Sequence, residues 1–178
     1  MKPKIFETKR HENLETKIRR ILVNFFPCYR RGGGRIIFFS SDMQEIHVKV
    51  SLNWQTRNYV GSVFGGALYS AIDPIYMLQL LWILGKEYVV WDKSASMKFI
   101  RPVKSTVYAK FELSNELIST IKIEVANNGR FLIDLPVTLQ DKNGVVYFTA
   151  TKELYIASKE YHKQRQEQKD NSPQIKNI

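Results

Sequence analysis

The chain has 178 residues, 44% of them hydrophobic, which suffices for one hydrophobic core, and no composition shift suggests a second domain. Its single cysteine, Cys28, excludes an internal disulfide, and its charged N-terminus lacks the apolar core of a secretory signal, so we expect a cytoplasmic protein. The net charge of +10 favours an anionic partner such as nucleic acid, a membrane surface or a phosphorylated small molecule, but many of the basic residues lie near the two termini.

The first predicted element is an amphipathic helix over residues 11–26, which Pro27 ends. Basic residues occupy one side of it, and the apolar positions recur at helical spacing: Leu14, Ile18, Ile21, Leu22 and Phe25. A basic amphipathic helix can lie on an anionic membrane, although packing over one end of its own domain is the commoner arrangement. We assign residues 1–34 to an N-terminal basic segment that contains this helix.

Two strands are predicted after this segment, over residues 35–39 and 45–52, around a turn at residues 41–42. Apolar and polar residues alternate in the second strand, which predicts that one face is buried and the other is in water. His47 falls on the polar face, and we therefore expect its side chain to be solvated.

The longest apolar run of the chain, residues 63–84, predicts a helix that is buried on every side. Its length would also suffice to cross a bilayer, but Asp73 and Pro74 lie near its middle, where a charge costs about 2.5–3.5 kcal/mol and a proline removes a hydrogen bond. We therefore expect a central core helix and no membrane span. Asp-Pro is also a natural N-cap and first-turn pair, so Asp73 could cap a second helical piece.

Four or five antiparallel strands are predicted between about residues 93 and 156. Apolar and polar residues alternate over 107–113, 117–125 and 131–139, and turn residues occupy 127–129 and 141–144. A sheet with one apolar face needs a cover, and the central helix is the only candidate long enough, so the predicted fold class is α+β. We assign residues 35–157 to this domain and 158–178, which are polar and lack aliphatic spacing, to a disordered tail.

Three features of this domain suggest chemistry. Asp73 is an isolated carboxylate among apolar neighbours, which must be protonated, hydrogen-bonded or functional. Gly65 and Gly66 leave uncovered N–H groups at the positive end of the helix, which could hold an oxyanion, although close helix packing also favours glycine. Asn58, a few residues upstream, could orient a water molecule.

These residues belong to a longer pattern, which reads Asn58-x-x-Gly61-x-x-Phe64-Gly65-Gly66-Ala67 and is followed by Asp73 and, on a strand, by Phe99-Ile100-Arg101-Pro102. The pattern resembles the hotdog-fold acyl-CoA thioesterases over about residues 35–156. It is most similar to the phenylacetyl-CoA thioesterase type and to an uncharacterised branch with an Asp-Pro in the helix. The resemblance implies a hotdog fold, in which an antiparallel sheet wraps a long helix, two subunits pair edge to edge and the site lies between them.

The resemblance also implies roles for individual residues. Gly65 would polarise the substrate carbonyl with its amide, Asp73 would act as nucleophile or general base, and Asn58 would hold a water molecule. Phe64 stands where the family usually has histidine. Independently, Gly65 and Asp73 are eight residues apart, about 12 Å along a helix, so they cannot both reach one carbonyl from the same helix. If both act, two subunits must meet, as in a two-fold homodimer, and such dimers could pair further.

The expected substrate is an acyl-CoA thioester, with no cofactor and no metal. The residues expected to bind it are Gly66, Phe64, Arg57, Lys98 and Arg101. One alternative is a hotdog domain that binds acyl-CoA or a lipid without turnover. A dehydratase is less favoured because no histidine lies in the pattern, and nucleic-acid binding is not expected because the chain contains no motif for it.

Overall fold

The computed structural model describes residues 7–170, which form six helices and six strands. The helices are α1 (Leu14–Phe25), α2 (Pro27–Arg31), α3 (Gly65–Ile72), α4 (Ile75–Leu84), α5 (Asn115–Asn128) and α6 (Lys159–Asp170). The strands are β1 (Gly34–Phe39), β2 (Glu45–Val50), β3 (Tyr88–Phe99), β4 (Val107–Glu112), β5 (Arg130–Gln140) and β6 (Val146–Ser158). The mixed α+β class that the sequence predicts is therefore confirmed.

The six strands form one antiparallel sheet in the order β1-β2-β4-β5-β6-β3. Strands β3, β5 and β6 pair along most of their length, whereas β4 and β5 share a single pair, Tyr108 with Gln140. The two edges of the sheet are β1 and β3, so β3 has a long edge that pairs with no strand within residues 7–170.

Helices α3 and α4 pack against β1, β2 and β3 and form the centre of the core. Ala71, Ile72, Ile75 and Leu80 are fully buried among inward-facing strand side chains. By length and composition, Gly65–Leu84 is the one segment within residues 7–170 that could also cross a membrane, a property that core helices share. Its place in the core agrees with the predicted central helix, but only 44% of its most apolar stretch is buried, so the expectation of burial on every side is wrong.

Asp73 and Pro74 form a two-residue turn that joins α3 to α4, and both keep helical backbone angles. Asp73 has helical φ and ψ angles of −49° and −55°, and its N–H donates to the Tyr69 carbonyl at 2.9 Å. The two helices thus form a nearly continuous rod. Pro74, not Asp73, is the N-cap of α4, and no side chain caps that end. The interpretation of Asp73 as an N-cap is therefore wrong, and its carboxylate is available for other contacts.

The predicted strand over residues 117–125 is wrong, because this segment lies in α5. Ser114 caps the helix by accepting from the Leu117 N–H at 3.1 Å, and Gly129 ends it in the left-handed conformation at φ 71°. The buried residues are Ile118, Ile121 and Val125, which follow helical rather than alternate spacing. The β-branched residues in this segment fit both patterns, and the caps decide between them.

Two further predictions fail because terminal segments fold onto the sheet. The predicted disordered tail is helical over Lys159–Asp170, while residues 171–178 lie outside the described part of the chain. His47 is buried, not solvated, because the Phe38 ring and the segment around residues 8–10 cover that face of β2. Its Nε2 lies 2.6 Å from the equally buried Glu45 carboxylate.

Helix α1 packs on the domain with its polar side. The Asn24 side chain bonds both the N–H and the carbonyl of Ile36, at 2.9 and 2.8 Å, and Thr16 is buried. Arg20 pairs with Glu12 at 2.7 Å on the same side. The expectation that α1 packs over its own domain is thus met, but the apolar residues that suggested it face outward.

Candidate active site

A buried lysine, Lys152, organises the polar cluster around Asp73. Its Nζ lies 2.5 Å from Asp73 Oδ1, 3.1 Å from Asp92 Oδ1 and 3.2 Å from the Tyr69 hydroxyl. The Lys152 side chain is fully buried, while 43% of the Asp73 side chain is exposed. The Asp73 carboxylate is therefore held by Lys152 on its buried side and is accessible to solvent on the other.

The local structure explains why these groups meet. Lys152 shares the inward face of β6 with Ala150 and Leu154, because alternate residues of a strand point the same way. Tyr69 and Asp73 are one helical turn apart on the central rod and face that strand. Asp92 precedes a bulge in the pairing of β3 with β6.

The cluster carries two carboxylates and one ammonium group. Burial raises the pKa of Asp92 above its usual range, although Lys152 opposes this shift. Burial would lower the pKa of Lys152, but the hydrogen bond and charge of Asp73 outweigh it and raise that pKa. Burial and the nearby Asp73 also raise the pKa of the Tyr69 hydroxyl. Lys152 thus stays charged, and it holds Asp73 in one orientation.

The N–H groups of Gly65 and Gly66 lie in the first turn of α3, where a helix offers them no partner, and no other described residue accepts from them. A Cβ on Gly65 would lie 2.8 Å from the ring of Phe99, and a Cβ on Gly66 would collide with the ring of Phe64. A side chain at either glycine would thus have to displace an exposed aromatic ring, and both amides lack an acceptor among the described residues.

Two of the three predicted basic residues lie near this helix start. The backbone of Arg57 forms an isolated antiparallel β-bridge with Val63, and Lys98 and Arg101 lie on either side of Phe99 in the sequence. The Arg101 guanidinium lies 5.7 Å from the centre of the Tyr147 ring. The structure therefore brings Gly65, Gly66, Phe64, Arg57 and the chain around Arg101 to one end of α3, whereas Lys98 precedes Phe99 on β3 and points to the opposite face of that strand. Asp73 lies about 12 Å farther along the same helix.

The Asn58 side chain is engaged within its own loop. Its amide nitrogen donates to Ser62 Oγ at 2.9 Å, and its carbonyl oxygen accepts from the Ser62 N–H at 2.9 Å. The structure thus gives Asn58 a local partner and does not bring it to Asp73. Within residues 7–170, no group of three or more His, Cys, Asp or Glu side chains could hold a metal ion.

The family of the chain follows from its sequence. The model of a domain of unknown function, DUF4442, matches residues 21–156. The chain belongs to the DUF4442 family. No curated relative matches it.

Solved structures similar to this DUF4442 protein identify its fold. Protein PA5026 of Pseudomonas aeruginosa, described as a probable thioesterase, superposes with a TM-score of 0.72 at 20% identity, over 83% of this chain and 99% of that one. Thioesterase HI1161 of Haemophilus influenzae gives 0.59 at 14% identity, over 85% and 96%. Thioesterase superfamily member 2 of Mus musculus gives 0.59 at 13% identity, over 81% and 98%. The predicted hotdog fold is confirmed.

Sequence reasoning did not identify Lys152 and Asp92 as members of this cluster. Lys152 had a detectable signal, since it stands in phase with Phe148, Ala150 and Leu154, where an apolar residue is expected. Asp92 had a weaker one, since it alternates with the buried Val90 on β3 and pairs with the inward-facing Leu154 of β6.

Proposed function

We propose that this protein is an acyl-CoA thioesterase whose active site forms between two copies of the chain. The observation that carries the proposal is the half-exposed Asp73 carboxylate, which is fixed on the core helix by the fully buried Lys152. Replacement of a buried ion pair by well-packed apolar residues is often neutral or even stabilises the protein. Stability alone is therefore a weak reason for this chain to keep such a pair. An oriented carboxylate that remains accessible is suited to attack or to general base work.

The proposed reaction is thioester hydrolysis. The Gly65 N–H of one subunit polarises the thioester carbonyl, while Asp73 of the other takes a proton from water as the water oxygen attacks the carbonyl carbon. The resulting oxyanion rests at the Gly65 amide, which the positive end of α3 supports. The intermediate then collapses with cleavage of the C–S bond, and the leaving CoA thiolate takes up the proton that Asp73 accepted, which regenerates the carboxylate. In this scheme, Lys152 is a positioning residue for Asp73.

The free edge of β3 favours the dimer that this scheme needs. An unpaired edge is a template for another strand, and β3 exposes Trp91 and Met97 along it and Phe99 at its end. Pairing of two such edges would continue the sheet and cover these side chains. A second pairing of dimers, and a cytoplasmic location, remain proposals from the sequence.

Two basic residues near the start of α3, Arg57 and Arg101, are suited to the phosphates of CoA. They and Lys98 have no carboxylate partner among the described residues. The rings of Phe64 and Phe99 are both more than half exposed, and they lie beside Gly66 and Gly65, respectively. A thioester carbonyl bound at the two glycines would therefore lie between these rings. Gly66 would offer a second amide there, and Asn58 would hold water only if it exchanged its Ser62 partner.

Two observations favour the alternative, a hotdog domain that binds acyl-CoA or a lipid without turnover. The Phe64 ring occupies the space beside Gly66, where a histidine could otherwise act, and the Asn58 amide is engaged by Ser62. Both features would leave a binding site with fewer groups for chemistry.

A panel of acyl-CoAs of different chain length, assayed for free thiol, separates the two functions. We expect release by the wild type and a fall of about 100-fold or more in Asp73→Asn, as for loss of a general base, with acyl-CoA affinity retained. Asp134→Asn, an exposed aspartate on β5, is the matched control and should behave as the wild type. Binding without thiol release from any member would establish the non-catalytic alternative.

A further inference from the structure

The outward side of α1 is a continuous apolar surface. Its large side chains are exposed by between 48% and 75%, and they are Leu14, Ile18, Ile21, Leu22, Phe25 and Phe26, the last just beyond the helix. An apolar patch of this kind on a soluble protein marks an interaction surface. We call these six residues the α1 apolar face.

The orientation of α1 is fixed by specific polar contacts, so this face cannot roll inward. Asn24 makes its two bonds to the Ile36 backbone, and Glu12 accepts both from Arg20 and from the Phe39 N–H at 2.9 Å. Rotation of the helix would break these contacts and bury the charges. The outward apolar face is thus specified by the sequence of the helix.

A basic cleft adjoins the α1 apolar face. It encloses about 430 Å³ between α1, α2 and the β1–β2 hairpin, and its lining includes Phe25, Arg30, Arg35 and Lys49 but no acidic residue. None of these three basic residues has a carboxylate partner among residues 7–170. The Arg30 guanidinium lies 5.5 Å from the centre of the Phe25 ring, so the cleft and the apolar face share a side chain.

Two of the cations oppose each other directly. Arg35 on β1 is the cross-strand partner of Lys49 on β2, and like charges in that relationship destabilise a sheet. An anion seated between them would remove the repulsion. This pairing points to a bound anionic group independently of the exposed apolar face.

We propose that α1 docks flat on the surface of an anionic lipid bilayer. The α1 apolar face enters the boundary between head groups and acyl chains, and one anionic head group occupies the basic cleft, with its phosphate between Arg35 and Lys49. Lys17 and Arg31, both exposed, meet further head groups. Apolar burial and charge attraction act together in this mode of binding, which fits a surface where the two features adjoin.

The charge of this region disfavours the other candidates. A second copy of the chain seated on the same face would bring two sets of unpaired arginines and lysines together. A nucleic acid would satisfy the cations but would leave the six apolar side chains in water. The membrane accounts for both features, and the inference stands independently of the thioesterase proposal.

Co-sedimentation of the full chain with vesicles tests this docking. We expect binding to phosphatidylcholine vesicles that contain about 30% phosphatidylserine, weak binding to phosphatidylcholine alone, and release by salt. The double variant Ile18→Glu/Leu22→Glu should bind at least about tenfold more weakly, because it places charge in the apolar face. Ile123→Glu, at an equally exposed isoleucine on α5, should bind as the wild type.

A second variant tests the cleft and guards against misfolding. Arg35→Gln/Lys49→Gln removes the cross-strand repulsion, so it should be at least as stable as the wild type and yet bind anionic vesicles about tenfold or more weakly. Lys122→Gln/Lys142→Gln, at two exposed lysines outside the cleft, is the matched control for charge and should bind at least about threefold more tightly than the cleft variant.

Three results would overturn the proposal. One is a failure of either vesicle comparison, that is, equal binding of the wild type to charged and neutral vesicles or no loss in Ile18→Glu/Leu22→Glu. Another is a wild-type oligomer that ignores vesicles and becomes monomeric in that variant, which would show that a second copy covers the face. The third is stabilisation by inorganic phosphate that needs Arg35 and Lys49 without any vesicle binding, which would assign the cleft to a soluble phosphate compound.

Discussion

The ammonium group of Lys152 lies 2.5 Å from the Asp73 carboxylate, and it reaches that carboxylate from a strand position where the chain otherwise places apolar side chains. The pair joins the central rod to the sheet that wraps it. It also keeps one carboxylate oriented in an apolar core while 43% of that side chain remains exposed. Asp92 completes the charge around the lysine at 3.1 Å.

Replacement of Lys152 by methionine should destabilise the fold. The change preserves the volume but leaves Asp73 and Asp92 facing each other without a cation. Removal of one partner of a fully buried pair costs about 3–5 kcal/mol, and we expect about 1–3 kcal/mol here because both carboxylates are partly exposed. Urea denaturation measures the loss. Asp73→Asn is the control, and it should cost less because Asp92 still neutralises Lys152. Equal stability of Lys152→Met and wild type would show that the pair contributes nothing.

The amide of Gly65 can be tested by comparing two substitutions that place the same new atom against Phe99. Gly65→Ala and Gly65→Pro both place a Cβ against the Phe99 ring, but only proline removes the N–H, and proline is well tolerated at the first helical position. Loss of an oxyanion donor lowers kcat by about 100- to 1,000-fold, so the proline variant should be slower than the alanine variant by roughly that factor. Similar rates in the two would exclude the amide from the reaction.

The stability of the protein should fall as the pH drops below about 6.5. Burial lowers the pKa of His47 below its ordinary 6.5, although Glu45 partly opposes this, so the folded state resists protonation of the ring while the unfolded state accepts it. The contribution of His47 is therefore complete above pH 6.5 and is lost as the pH falls toward the lower folded pKa. The charge of Lys110 lowers this pKa further and that of Glu112 raises it, both less than burial does.

Denaturation of wild type and His47→Gln between pH 7.5 and pH 5 checks this prediction. The difference in unfolding free energy between the two should shrink or reverse as the pH falls, because glutamine does not titrate. His11→Gln, at an exposed histidine, should run parallel to the wild type. A constant difference between wild type and His47→Gln would contradict the assignment.

The central helix and the strands that surround it can be predicted well from the sequence, because both depend on strong local patterns. Residues 63–84 are apolar on every side, and the strand segments 107–113 and 131–139 alternate clearly. The strand prediction for segment 117–125 is wrong because the spacing of its isoleucines fits both a strand and a helix. Only the caps at Ser114 and Gly129 select the helix. Local pattern alone does not decide between them.

The candidate site is predicted only in part, because its decisive contacts are tertiary. Asp73 and Gly65 are recognisable from their sequence context, but Lys152 meets Asp73 from a strand 79 residues later in the chain. Amphipathicity predicts α1, yet it does not say which side of the helix meets the domain. The bonds of Asn24 to Ile36 decide that, and no periodicity contains them.

Subunit mixing tests the central claim, that Gly65 of one subunit acts with Asp73 of another, most directly. Asp73→Asn and Gly65→Pro should each be nearly inactive in thiol release, and each should keep the overall fold. In a dimer that holds one of each, one site has both defects and the other has neither, so the mixture should recover thiol release of up to about a quarter of the wild-type rate under random pairing. No recovery in a mixture shown to contain mixed dimers, or a stable monomer with full activity, would contradict the shared site.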